Sequence, residues 1–178
     1  MLKKILIALV IAAIGLAVVI ALQPPTFRVS RTATISAAPA EVFALVNDFH
    51  NWDAWSPWAK LDPAMKTTHA GSMSGQGAVY SWVGNSDVGE GSMTITDSQP
   101  ASRVNIRLEF IKPFASVADN LFEFAPAAAG TTVTWTMSGD NDFLSKAFCL
   151  FMGGMDQMIG PDFEKGLAQL KAAAEAKW

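Results

Sequence analysis

Apolar residues recur at helical spacing along the last stretch of the chain, residues 154–178. They are three or four positions apart, with one adjacent pair, which places them on one face of a helix. The stripe keeps its phase across Gly160 and Pro161. The pattern therefore predicts one helix with a kink at this point rather than two unrelated helices. Its apolar face consists of Met155, Met158, Ile159, Phe163, Leu167, Leu170 and Ala174.

Upstream of this stretch, short segments alternate between apolar and polar residues, as antiparallel strands with one buried face do. The clearest are residues 103–111 and 132–137, and a first strand is predicted over Thr26–Ile35. A helix begins at Pro39, a residue that suits a first helical turn. The order is strand, helix, several antiparallel strands and a long helix. It predicts an α+β domain whose curved sheet packs onto the last helix.

Residues 5–22 contain no charged or strongly polar side chain, and Lys3 and Lys4 precede them. Such a helix reaches roughly the thickness of a bilayer's hydrocarbon core, about 30 Å. We therefore divide the chain into a membrane anchor or signal segment (1–25) and a domain (26–178). The lysines predict a cytoplasmic N-terminus and a domain outside the cytoplasm, at a bacterial inner membrane or cell surface. A cleaved signal peptide is the alternative, and it would release the domain as a secreted protein.

Charge and cysteine content narrow the function further. The net charge is −3, and the basic residues beyond Lys4 are scattered singly, so no basic stripe predicts a nucleic-acid partner. The single cysteine, Cys149, excludes an internal disulfide and a cysteine-based zinc site. Its apolar neighbours predict a buried thiol rather than a nucleophile.

Several local motifs resemble one known family. Residues 38–43 (APAEVF), 48–58 (DFHNWDAWSPW), 75–82 (GQGAVYSW) with 89–91 (GEG), and 162–171 (DFEKGLAQLK) carry the resemblance. It is to the SRPBCC or START-like superfamily, the birch-pollen-allergen-like helix-grip fold, which includes polyketide cyclase/dehydrase-type proteins. The resemblance extends over residues 27–177. It implies a hydrophobic cavity between the sheet and the last helix, which binds lipids, sterols, polyketides or other apolar molecules. A minority of such proteins catalyse cyclisation, dehydration or hydrolysis there.

Aromatic and methionine residues on the expected inner faces are the candidate ligand contacts. Methionine suits adaptable apolar sites. The tryptophans of the 52–58 segment have two interpretations: contacts to ligand or bilayer at a cavity mouth, or a plug that closes one end of the core. The predicted ligand-binding residues are Trp55, Trp58, Tyr80, Trp82, Phe110, Phe122, Trp135, Met137, Met155 and Phe163.

Catalytic and metal-binding candidates are few. Glu90 is the one weak catalytic candidate, because it stands between two glycines where strand parity could turn it inward. The two histidines, His50 and His69, have no carboxylate at helical spacing, so no metal site and no cofactor is predicted. No Ser-His-Asp set, phosphate loop or dinucleotide motif is present.

Three hypotheses follow. The first is a membrane-tethered domain that binds a hydrophobic small molecule or lipid in the cavity. The second is an enzyme of polyketide cyclase/dehydrase or hydrolase type, with Glu90 and Tyr80 as polar groups. The third is an envelope module that binds a protein partner through its surface.

Overall fold

In the computed structural model, which describes residues 1–176, the elements follow the predicted order. The last two residues of the predicted domain lie outside the described part. The helices are α1 (Leu2–Ala21), α2 (Pro39–Val46), α3 (Phe143–Met152) and α4 (Met155–Glu175), with a 3₁₀ helix at Phe49–Ala54. The strands are β1 (Thr26–Ile35), β2 (Lys66–Gly71), β3 (Ala78–Val83), β4 (Glu90–Gln99), β5 (Arg103–Lys112), β6 (Ser116–Ala127) and β7 (Gly130–Asp140).

The strands form one antiparallel sheet in the order β1-β7-β6-β5-β4-β3-β2. Strands β2 to β7 are a meander, and β1 pairs with β7 so that Val29 lies opposite Met137. Helix α4 packs chiefly against β1 and also contacts α2. The predicted α+β fold, a curved sheet around a long C-terminal helix, is confirmed.

The prediction of one helix rather than two is also confirmed, because α4 continues through Pro161 without a break. Arg31 of β1 holds this part of α4: its guanidinium donates to Asp156 at 2.7 Å and to Glu164 at 2.8 Å. A Cβ atom on Gly160 would collide with the Arg31 side chain. Glycine at this position therefore lets the helix approach the strand closely enough for these two ion pairs.

The tryptophan segment closes the sheet's inner face beside α2. Trp52 and Trp55 are buried, and their indole N–H groups donate to the backbone carbonyls of Val46 and Leu45 at 2.9 and 3.0 Å. These bonds satisfy two carbonyls in the last turn of α2. The placement of these two residues is the one that the plug interpretation predicts, whereas Trp58 is only half-buried.

One local expectation differs from the structure. Cys149 is half-buried rather than buried, because α3 turns its apolar stripe outward. The partial burial still raises the pKa of the Cys149 thiol, which disfavours the reactive thiolate.

Gly166 is a point of close approach between α4 and the sheet, since a Cβ atom there would lie 2.8 Å from a Trp135 ring carbon. We expect Gly166→Val to lower the free energy of unfolding by about 1–3 kcal/mol through overpacking. Ala168→Val, on the exposed face of the same helix, should cost less than about 1 kcal/mol. Urea unfolding of residues 26–178 measures both, because no α1 residue belongs to the hydrophobic core cluster. Equal losses would contradict the close packing.

Candidate functional site

A cavity of about 310 Å³ lies between the inner face of the sheet and the first half of α4. The tryptophan segment and the start of α3 complete its wall. Exposed residues such as Asp53, Asp87 and Asp140 are part of the lining. The cavity therefore opens to solvent at the end of the sheet where β7 ends and the β3–β4 turn lies. We call this open end the cavity mouth.

The structure brings most of the predicted ligand-binding residues together around this cavity. Trp55 and Phe122 are the exceptions: both are fully buried and lie behind the wall, 6.0 Å apart between ring centroids. They pack edge-to-face and support the lining from outside the cavity. The predicted residues that line it are Trp58, Tyr80, Trp82, Phe110, Trp135, Met137, Met155 and Phe163.

The inner end of the cavity is closed by aromatic stacking. Trp135 of β7 stacks on Phe163 of α4 with ring centroids 4.0 Å apart and planes 10° apart, and Phe122 stacks against Trp135 at 4.8 Å. Trp58 meets the Trp135 ring edge-on at 5.8 Å. Beyond this cluster, Leu167 and Leu170 are buried in the core. The interior is thus hollow on one side of the Trp135–Phe163 pair and solid on the other.

Asn120 is the polar side chain that our list of site residues did not include. It lines the cavity with only 5% of its surface exposed, and its Oδ1 accepts a hydrogen bond from Trp135 Nε1 at 3.0 Å. Because an indole N–H can only donate, this bond fixes Oδ1 as the amide atom facing Trp135. The Nδ2 group has no acceptor in the hydrogen bonds of residues 1–176, so it remains available to a molecule in the cavity. The sequence could have identified Asn120 as a site residue, because it shares one face of β6 with Phe122 and Phe124.

Tyr80 supplies the second polar group on the inner face. Its ring packs against Trp82 and, edge-on, against His69. Burial raises the pKa of the Tyr80 phenol, and the negative charge of Asp53 at the mouth raises it further. At neutral pH the hydroxyl is therefore protonated and can donate a hydrogen bond.

Glu90 lies away from the cavity. It lies opposite Val83 of the neighbouring strand, on the outer face of the sheet. Its carboxylate forms an ion pair with the Lys112 ammonium group at 2.7 Å. Gly91, the next residue, turns inward beneath the Trp82 ring, where a Cβ atom would come within 2.6 Å of it. This placement gives the catalytic hypothesis for Glu90 no support.

The two histidines meet outside the cavity. Their rings stack with centroids 4.1 Å apart, and Asp48 Oδ1 lies 2.7 Å from His50 Nδ1. Within residues 1–176, no group of three or more His, Cys, Asp or Glu side chains is arranged to hold a metal ion.

Residues 26–175 match the profile of a family described as "Polyketide cyclase / dehydrase and lipid transport". The chain belongs to this polyketide cyclase/dehydrase family. The resemblance seen in the sequence motifs is thereby confirmed. None of the curated protein sequences matches the chain.

Solved structures share the fold of this polyketide cyclase/dehydrase family member at low sequence identity. A Staphylococcus aureus protein of unknown function, SA2116, is 12% identical with a TM-score of 0.64, over 88% of this chain and 98% of its own. Protein CV1439 from Chromobacterium violaceum is 17% identical with a TM-score of 0.56, over 85% and 99%. The di-domain ARO/CYC protein StfQ of the steffimycin biosynthetic pathway is 9% identical with a TM-score of 0.60, over 85% of this chain and 51% of its own.

Tyr80 is the only tyrosine, so the absorbance of its phenolate can be titrated without interference. We expect the Tyr80 pKa to lie above its ordinary value of 10.0 and to fall in Asp53→Asn, which removes the repelling charge. Asp119→Asn, on the exposed outer face of β6, is the control and should leave it unchanged. Because the raised pKa means that the native state holds the phenolic proton more tightly, stability should fall as pH rises above 10.0. An unshifted titration in the native protein would contradict the burial of Tyr80.

Proposed function

We propose that this domain binds one hydrophobic small molecule or lipid chain in the cavity between the sheet and α4. The observation that carries the proposal is the cavity itself, about 310 Å³ and lined chiefly by aromatic and methionine side chains. Its volume is at the lower end of the roughly 300–1,000 Å³ typical of small-molecule sites. The lining excludes strongly hydrated ligands, because few interior groups could replace their water.

The polar groups of the wall narrow the ligand class. The Asn120 amide and the Tyr80 hydroxyl are donors on the largely apolar inner face of the sheet. A ligand that is mostly hydrocarbon and carries a carbonyl or hydroxyl oxygen could accept a hydrogen bond from either. Leaving that oxygen unpaired would cost about 1–3 kcal/mol, so these donors would orient the ligand.

Membrane tethering through residues 5–22 is the second part of the proposal. Helix α1 is long and apolar enough to cross a membrane, and its residues up to Val19 are exposed. Exposed aliphatic side chains along such a helix favour insertion into a bilayer. Lys3 and Lys4 favour a cytoplasmic N-terminus, with the domain on the other side. A signal sequence near the N-terminus has the same features and is the alternative.

A reaction inside the cavity is the second candidate function. The family description includes cyclases and dehydrases, and StfQ is an ARO/CYC protein. In that case Tyr80 would act as the proton donor and Asn120 would hold the substrate carbonyl. A cyclisation or dehydration that expels water would lower the mass of the bound molecule, whereas binding alone would leave the mass unchanged.

Filling the cavity should abolish binding. Ala118 is buried and lines the cavity, so Ala118→Phe would place a ring in the ligand's space. We expect at least a tenfold loss of affinity for the apolar fluorophore N-phenylnaphthylamine, which is about 1.4 kcal/mol. Ala125→Phe, on the exposed face of the same strand, is the matched control and should bind like the wild type. Equal affinities in residues 26–178 and both variants would place the fluorophore elsewhere.

The role of Asn120 can be tested with two naphthalenes of nearly equal shape. We expect Asn120→Leu to weaken 2-acetylnaphthalene about tenfold more than 2-ethylnaphthalene, because only the ketone accepts a hydrogen bond. The comparison cancels the cost of leaving the Trp135 N–H unpaired, which affects both ligands. Isothermal titration of residues 26–178 measures both affinities. Equal losses would mean that Asn120 supports the wall without touching the ligand.

A further inference from the structure

Large apolar side chains are exposed around one end of the sheet. Helix α3 turns Phe143, Leu144, Phe148 and Phe151 outward, with Phe151 71% exposed. Leu144, Phe148 and Phe151 follow at steps of four and three, and Phe143 adjoins Leu144, so the four form a single stripe on one helical face. Phe114, in the turn between β5 and β6, is 63% exposed, and Val117 follows at the start of β6. A cluster of this kind on a folded domain marks an interaction surface. We call these six residues the docking surface.

The end of α1 lies against the same region. Lys146 of α3 donates to the backbone carbonyl of Ala21 at 3.3 Å, and the Asn141 N–H donates to that of Pro25 at 2.7 Å. Only residues 22–25 separate the end of α1 from the start of β1. Four residues span at most about 14 Å even when fully extended. A bilayer that contains α1 must therefore lie directly beside α3.

We propose that the docking surface rests on the bilayer that holds α1, with α3 lying as an interfacial helix in the headgroup region. The inference rests on the proposed tethering by α1. The outward stripe has the side chains that such helices insert at the boundary of headgroups and acyl chains. Lys146 and Lys112 lie at the α3 and β5–β6 ends of the surface, where they contact the Ala21 carbonyl and the Glu90 carboxylate. Each ammonium group has three donors, so further donors remain for lipid phosphates. Asp142 caps the start of α3 by accepting from the Ser145 N–H, so its charge has a partner within the helix.

The docking surface also adjoins the cavity. Val117 belongs to the surface and lines the cavity, and Ser145 of α3 lines it too. Docking would therefore press the cavity mouth against the bilayer. An apolar ligand could then pass between the acyl chains and the cavity without crossing bulk water, which would remove the main cost of moving it.

The test uses the full chain in nanodiscs of phosphatidylcholine and phosphatidylglycerol. In a Cys149→Ala background, a nitroxide is attached to Phe151→Cys on the docking surface. Met73→Cys is the matched control, because Met73 is 81% exposed at the opposite end of the sheet. Gly15→Cys reports on α1, where a side chain meets no neighbour. Electron paramagnetic resonance then compares how readily apolar oxygen and a polar nickel complex reach each label.

We expect the oxygen-to-nickel ratio at position 151 to lie well above that at position 73 and to approach that at position 15. Equal ratios at 151 and 73, with a high ratio at 15, would overturn the docking surface while leaving the tether intact. Low ratios at all three positions would overturn both. A label at 151 that neither reagent reaches would identify a protein partner or a second copy as the occupant, which also overturns the proposal. Because no ligand is needed, these outcomes are independent of whether the cavity binds one.

Discussion

The stack of Trp135 on Phe163 is the contact on which both the fold and the cavity depend. It joins the middle of β7 to the middle of α4 at a centroid distance of 4.0 Å. Toward the C-terminus of α4, Leu170 completes a solid core, while toward its N-terminus Met155 lines open space. The same indole orients the Asn120 amide through its N–H. One aromatic pair therefore determines where packing ends and how the interior's polar group points.

This division explains how a small domain keeps a cavity and remains folded. The solid half of the interior, with Gly166 against the Trp135 ring, supplies the close packing that holds α4 on the sheet. The Arg31 ion pairs hold the other half of α4 where the core is hollow. A cavity costs stability roughly in proportion to its volume, so the solid half must offset the hollow half. The cavity mouth opens at the end of the sheet where α1 joins the domain, so the proposed ligand binding and the proposed membrane attachment would lie in one place.

Sequence patterns predicted the fold well, because strand alternation and the α4 stripe are set by burial on one face. They also located most of the cavity wall, since inward parity on a curved sheet identifies both core and lining. Inward parity could not distinguish a core residue from a cavity-lining residue. Phe122 and Trp135 both point inward from their strands, yet only Trp135 lines the cavity. Glu90 was misleading because the inward residues of β4 are Gly91, Met93 and Ile95, so alternation turns Glu90 outward. The apolar neighbours of Cys149 predicted a buried thiol, whereas α3 turns its apolar stripe outward, because an apolar pattern does not show what covers it.

Native mass spectrometry of residues 26–178, purified from the host without detergent and followed by organic extraction, tests the central claim most directly. The account predicts a co-purifying apolar molecule that contains oxygen and is small enough for a cavity of about 310 Å³. The identity of that molecule would define the ligand class. A domain that carries no such molecule, and from which no apolar ligand displaces a fluorescent probe, would contradict the binding function and favour a protein-interaction module.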